Sequence, residues 1–214
     1  MLADMISGTL KGKVYSAVLM GIINGEYTVD SVISEKQLAE KMQVSKAPVR
    51  EALVELCAQG VLRSVPRLGY IVVRYTDRNI RDIIEYRTML ECGCLLKSFD
   101  RISPTQLCRL ESIVENEFLF LNSSDTKDYW NNTFNFHLTL ASFGENEFIY
   151  SHLDSALNTY MRAYIQLYWD KWEDESFLRP SILHQQIVES IRRHERDKAV
   201  ELLKRDINTL CTLN

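Results

Sequence analysis

The chain has 214 residues, a net charge of −4, 46% hydrophobic and 25% charged residues, the make-up of an ordinary globular protein long enough for one large core or two small ones. No apolar run is long enough for a membrane-crossing helix, so a helical membrane protein is excluded and no membrane partner is expected. The opening MLADMISGTLKGK lacks a cationic start followed by an apolar stretch, so no secretory signal is read there. The five cysteines show no regular framework, which fits a reducing cytoplasm and buried thiols rather than a disulfide scaffold or a metal pair at Cys92 and Cys94.

Charge divides unevenly. Residues 1–75 carry nine Lys and Arg against seven Asp and Glu; residues 76–214 carry sixteen against twenty-two. A mildly basic front and an acidic rear predict two modules with different partners. In the front module, Val14, Val18 and Ile22 recur at helical spacing, and Asn24-Gly25 ends that first helix. Ser34, with Gln37 three residues on, predicts a capped second helix that turns Leu38 and Met42 inward. After a turn at Gln43-Val44, Ser45 opens a third helix. Pro48 falls in its first turn, where a missing N–H costs nothing, and Val49, Leu53 and Leu56 form its buried stripe. Gln59-Gly60 stops it, and VLRSV, PRLG and GYIVVRY read as a β-hairpin. Three helices and a hairpin make a winged helix-turn-helix.

From Thr76 onward the sequence reads as an all-helical antiparallel bundle of about six helices, near 77–99, 103–121, 126–143, 146–169, 177–194 and 197–212, parted at Ser103-Pro104, Asn122–Asp125, Gly144 and Arg179-Pro180. The fold class is therefore mainly α, with a module at 1–75 and a second at 76–214. Tyr160, Tyr164 and Tyr168, within YMRAYIQLYWDKW, are spaced as a core or dimer-interface stripe.

In the stretch SKAPVREAL, Lys46 and Arg50 lie one turn apart opposite the apolar stripe, at a helix start whose unpaired N–H groups and dipole attract phosphate. Arg can read a guanine edge bidentately, and Lys can touch guanine or phosphate. Lys36 on the preceding helix and Arg67 at the hairpin tip flank them. The run from Val14 to Val73, with IINGEY, ISEKQLAEKMQVSKAPVREAL, AQGVL and RLGYIVV, resembles the DNA-binding domain of GntR-family bacterial transcription regulators. That resemblance implies that Lys36, Ser45, Lys46, Ala47, Arg50, Arg67 and Gly69 approach double-stranded operator DNA, with Ser45 capping the recognition helix. The family usually carries Arg at the Lys46 position and Thr at Ala47, so a different operator preference is expected. The loop TVDSVI also lacks the family's usual Pro-Gly turn.

The runs IRDIIEYRTMLE, FNFHLTLASFGENEFI and HQQIVESIRRHERDKAVELLKRDI resemble the helical ligand-binding domain, FCD, of the FadR-like subgroup. Many such domains hold a divalent metal with one Asp and three His beside a small carboxylate effector. Here His137 and His184 stand at two of those positions, Thr133 replaces the usual Asp, and Asp206 replaces the last His. His137, His184 and Asp206 make a two-His, one-carboxylate set suited to Zn, Ni, Fe or Mn, and Thr133 is a poor ligand that would rather hold a water. Arg87 matches a cavity position where a guanidinium would pair with an effector carboxylate, its local alternative being an ion pair with Glu91 one turn on. Asn146 is read as a helix start, His194 as a solvated helix end, and His152 has no evident partner.

These readings converge on a cytoplasmic, effector-responsive regulator, a repressor by the family's commoner habit, that binds a pseudo-palindromic operator as a homodimer. One recognition helix spans few base pairs and two multiply affinity. Two alternatives stay open. A metal-dependent enzyme would need a general base such as the Glu of H-E-x-x-H, and no such motif is present; an acyl-CoA-type sensor would need no metal.

Overall fold

The computed structural model describes residues 8–119, 126–168 and 182–209, the side chains of 118–119 and 126–129 excepted. The expected helix separators at Asn122–Asp125 and Arg179-Pro180, and the aromatic run beyond Tyr168, lie outside those residues. By internal contacts the chain separates into two compact units, Met1–Thr76 and Asp77–Asn214.

In the first unit, helix α1 (Leu10–Ile23) is opened by Thr9, whose hydroxyl accepts the Gly12 amide at 3.1 Å, and closed at Asn24. It buries Val14, Tyr15, Val18 and Leu19. Helix α2 (Glu35–Met42) ends on Gln43, which takes a left-handed φ of 54° so that the chain turns sharply into α3 (Lys46–Ala58). Ser34 and Ser45 stand at the two helix starts, yet neither side chain makes a capping hydrogen bond. The expected capping box at Ser34 and Gln37 does not form, and Ser45 opens α3 by its extended backbone (φ −70°, ψ 162°) alone. Helix α3 buries Val49, Ala52, Leu53 and Leu56 against α1 and α2.

Strands β2 (Leu62–Val65) and β3 (Gly69–Val72) form the expected hairpin, with Leu62 opposite Val72 and Val65 opposite Gly69. A third strand, β1 (Val32–Ile33), pairs antiparallel with β3 through Val32↔Ile71 and Ile33↔Tyr70, giving the order β1-β3-β2. At two residues β1 is too short to announce itself by alternation. It explains Gly69: a Cβ there would lie 2.7 Å from the Ile33 carbonyl oxygen, and φ is +129°. Ile33, Leu62, Tyr70 and Val72 complete a core shared with the three helices.

The second unit contains α4 (Asp77–Ser98), α5 (Pro104–Leu119), α6 (Thr126–Ser142), α7 (Glu147–Tyr168), α8 (Ile182–Arg192) and α9 (Arg196–Asn208). Helix α4 packs against α6, α7 and α9; α5 lies against α6 and α8, and α8 against α9. The core is filled by Leu95, Leu110, Trp130, Phe136, Leu153 and Tyr160, all fully buried. Tyr164 joins them, so the tyrosine stripe is core at 160 and 164. Asn146 starts α7 by accepting the Ile149 amide at 3.1 Å. Exposed His194, at φ 57°, carries the tight reversal from α8 to α9. Cys92 and Cys94 are both buried, and burial pushes the Cys92 thiol up to about 11, as expected of inert core thiols.

Candidate functional site

Two clusters of chemistry-bearing side chains stand out, one in each unit. In the first, Lys46, Ala47 and Arg50 are exposed along the start of α3, Ser45 is exposed just before it, and Lys36 is exposed on α2. Lys36 lies 3.9 Å from Glu40, one turn along the same helix. Arg67 projects from the β2–β3 turn with a φ of +66°. Gly69 has a structural reason for being there, the close pass of β1, which the hairpin pattern alone did not reveal. Arg50 is not a bare cation. Its Nε donates to both Glu35 oxygens (3.1 and 3.2 Å) and its Nη2 donates to Glu35 Oε2 (3.0 Å). Tyr70 of β3 donates its hydroxyl to Glu35 Oε1 at 3.0 Å.

The second cluster lies among α4, α5, α6, α8 and α9. His137 on α6 and His184 on α8 are 1% and 0% exposed. Each points its Nε2 at Asp206 Oδ2 of α9, at 3.3 Å in both cases, and one ligand atom from each of the three lies within 4.8 Å of the others. The far side of each ring is held by a carboxylate. His137 Nδ1 lies 2.6 Å from Glu91 Oε2, and His184 Nδ1 lies 2.9 Å from each oxygen of Glu117. A carboxylate on Nδ1 keeps the proton there and turns the Nε2 lone pair toward the centre, which is how metal-binding histidines are commonly oriented. Phe136 stacks on the His184 ring at 3.8 Å, fixing its plane.

Charge supports a cation at the centre. Glu91, Glu117 and Asp206 bring three buried or nearly buried carboxylates, against which Arg87 supplies one buried guanidinium. With neutral imidazoles that leaves an excess of two negative charges, a cost that burial makes large. Without a metal, protons make up part of it. Burial opposes a charged His184, but Asp206 and Glu117 outweigh it and push the imidazole up to about 10. Burial likewise works against the Asp206 carboxylate, yet His184 and His137 hold it well below the ordinary carboxyl range. Donor types, ring orientation and charge all fit a divalent ion. His137, His184 and Asp206 would hold it, and it would offer open positions to an anionic ligand.

Arg87 adjoins this centre through Glu91. Its Nε donates to Glu91 Oε1 at 2.9 Å, and the other oxygen of the same carboxylate holds His137. The ion pair with Glu91 is therefore real, and Arg87 is 4% exposed with its Cζ 5.3 Å from the Tyr160 ring centroid. Among the described residues, Arg87 Nη2 has no hydrogen-bond partner. Thr133 sits half-buried on α6, one turn before His137. His152 is exposed, with its Nδ1 2.7 Å from the Phe148 carbonyl oxygen. A cavity of about 610 Å³ between α5, α8 and α9, lined by residues including Glu111, Val188, Leu202 and Arg205, contains none of Arg87, His137 and His184. Its mixed-charge lining lacks the convergent groups that the His-Asp centre has.

Sequence reasoning missed Glu35, Glu91 as the His137 partner, and Glu117. Glu91 carried a signal, one turn after Arg87; Glu35 and Glu117 carried none, because only the folded chain brings them to Arg50 and His184.

A winged helix-turn-helix with an exposed cationic helix start, followed by a helical unit with a buried His-Asp cluster, defines a transcriptional regulator. The chain belongs to the gntR family of bacterial regulatory proteins, whose sequence pattern matches residues 10–72, with an FCD domain matched at residues 82–209. It is 25% identical over 197 residues to the gluconate operon transcriptional repressor of Bacillus licheniformis, an alignment covering 88% of this chain and 78% of that one. It is 22% identical over 189 residues to the HTH-type transcriptional repressor RspR of Escherichia coli, covering 88% and 81%. Among solved structures, E. coli McbR/YncC shares the fold with a TM-score of 0.73 at 16% identity, covering 96% of each chain. The family is one of regulatory proteins and the first two relatives are named as transcriptional repressors, so the chain is a regulator and the metalloenzyme alternative falls.

Proposed function

We propose that this chain represses transcription from the cytoplasm by binding a pseudo-palindromic operator as a homodimer, and that a small carboxylate metabolite tunes its DNA affinity from a metal centre in the FCD unit. One observation carries the sensing half of this reading: the Nε2 atoms of His137 and His184 converge with Asp206 next to a buried guanidinium whose Nη2 has no hydrogen-bond partner among the described residues. A divalent ion bound by those three residues supplies an electrophilic position for a carboxylate, and Arg87 supplies the counter-charge for it. Thr133 lies on the same face as His137 and is suited to hold a water there.

On the DNA side, Lys46 and Arg50 reach bases from the start of α3. Ser45, Ala47 and Lys36 border the backbone, and the wing turn at Arg67–Gly69 reaches the neighbouring groove. Repression is supported by the two bacterial relatives, both named as transcriptional repressors.

Dimerisation is supported by a stripe on α4. Tyr86, Met89 and Leu96 are 38, 65 and 48% exposed, and between them a Cβ on Gly93 would meet open space. An antiparallel two-fold pairing of two α4 helices about residue 91 sets Met89 of one copy over Gly93 of the other. The same pairing sets Tyr86 beside Leu96 and exposed Glu85 opposite exposed Lys97. A two-fold interface needs such self-complementarity.

The metal reading is tested by elemental analysis and by calorimetry of stripped protein with Zn²⁺ or Ni²⁺. About one ion per chain is expected, reduced in His137→Ala and His184→Ala; no binding by the wild type ends it.

A further inference from the structure

Glu35 poses a puzzle for a DNA-reading surface. It is a carboxylate at the first position of α2, with its side chain 21% exposed, turned toward the residue that is to meet DNA. A negative charge beside a phosphate backbone weakens binding, so its presence asks for a compensating use. The hydrogen bonds show what Glu35 does to Arg50. A guanidinium has two edges that offer paired N–H groups, one formed by Nε and Nη2 and one by Nη1 and Nη2. Glu35 takes the Nε–Nη2 edge, with three contacts at 3.0–3.2 Å. The Nη1–Nη2 edge is left facing away from the carboxylate, and it still offers the paired N–H groups that match the O6 and N7 acceptors of guanine.

The carboxylate is itself tethered. Tyr70 donates to its Oε1 from β3, and Tyr70 is 8% exposed in the core of the wing. Arg50, by contrast, is 67% exposed at its side chain and would otherwise sample many rotamers. The three residues link α2, α3 and β3. Arg50 and Tyr70 together outweigh partial burial and hold the Glu35 carboxyl below its usual range, so it stays charged at neutral pH.

Resting on the DNA-reading assignment of Arg50, we infer that Glu35 is a positioning residue for operator recognition: it spends one edge of the Arg50 guanidinium to fix the other for a guanine, while its charge repels non-cognate backbone. It raises specificity from both directions. Lys46, whose compact ammonium cannot fork, makes this preorganised Arg50 the main source of base discrimination on α3.

The probe is a duplex selected from a random-sequence library with the full-length wild-type chain, compared with a scrambled duplex by fluorescence anisotropy at fixed salt. Removing Glu35 (E35A) lowers the ratio of selected to scrambled affinity by about tenfold, the scale of one bidentate base contact, and leaves scrambled-duplex binding equal or tighter. E35Q, which keeps an acceptor and loses the charge, falls between, and Y70F loses part of the ratio. In the R50A background E35A no longer weakens the selected duplex, and when the guanine read by Arg50 is replaced, E35A binds no more weakly than wild type. Retained scrambled-duplex binding shows that the variants are folded. An unchanged ratio in E35A, or tighter binding of the selected duplex as expected of a mask on Arg50, overturns the inference while a loss in R50A leaves the reading head standing. A ratio unchanged in R50A as well overturns both.

Discussion

At the scale of single residues, the centre around Asp206 shows how burial turns ordinary groups into a candidate ligand site. His184 has carboxylates at both ring nitrogens, Glu117 on one side and Asp206 on the other. In the metal-free protein it therefore behaves as a held cation. Its affinity for a proton is raised from the usual 6.5 to about 10, so this proton supports the metal-free fold fully below pH 6.5, and that support is lost as pH rises toward 10. A metal must displace the proton from Nε2. Binding of Zn²⁺ at neutral pH is expected to release about one proton per ion from His184 and to tighten about tenfold per pH unit between pH 6 and 8. Calorimetry in buffers of different ionisation enthalpy checks this; pH-independent binding would place the ion elsewhere. Glu117 touches only the far nitrogen of His184, so Glu117→Gln is expected to weaken metal binding by about 10–100-fold without removing a ligand. The two histidines and Asp206 were legible in the sequence because residue type and the family resemblance marked them. Glu91 was legible only as an ion-pair partner of Arg87 and Glu117 not at all, since a carboxylate on a helix looks solvated until the packing that buries it is known.

Among elements, the recognition helix α3 and the wing depend on each other. Val49, Leu53 and Leu56 anchor α3 with no exposure at all, and truncating Leu53 to Ala is expected to cost about 2–5 kcal/mol of stability, measurable by denaturant unfolding. Gly69 is a different kind of constraint. Its φ of +129° and the 2.7 Å from a Cβ to the Ile33 carbonyl mean that Gly69→Ala must push β1 off β3, at a cost of about 1–3 kcal/mol from backbone strain alone. Circular dichroism melts of the variant check that value. Helix periodicity made most of these elements readable: the expected helix at 77–99 is α4 at Asp77–Ser98, and that at 126–143 is α6 at Thr126–Ser142. Two-residue β1 and the uncapped starts at Ser34 and Ser45 were not readable, because pairing partners and side-chain rotamers are set by tertiary contacts rather than by local pattern. On α4, the exposed Tyr86-Met89-Leu96 stripe predicts that Met89→Glu converts the proposed homodimer to monomer in sedimentation; a dimer that survives would move the interface off this helix.

For the whole molecule, the average charge of −4 conceals a basic front and an acidic rear. The acidity of the FCD unit has a specific component, the buried carboxylates around His137 and His184, and the front carries exposed cations at the start of α3. In the proposed reading two ligands of opposite charge act on one chain, operator phosphate at α3 and a divalent ion with its carboxylate at α6, α8 and α9. Linkage requires that if the second shifts the equilibrium between DNA-competent and incompetent states, it changes DNA affinity, and DNA changes its affinity by the same factor. The most direct test is the anisotropy midpoint for the selected duplex, measured at one salt concentration with wild type and His184→Ala, each with saturating Zn²⁺ and with chelator. A midpoint that depends on metal in the wild type and not in His184→Ala is the predicted result. The same wild-type midpoint in both conditions would contradict a sensing centre at His137, His184 and Asp206.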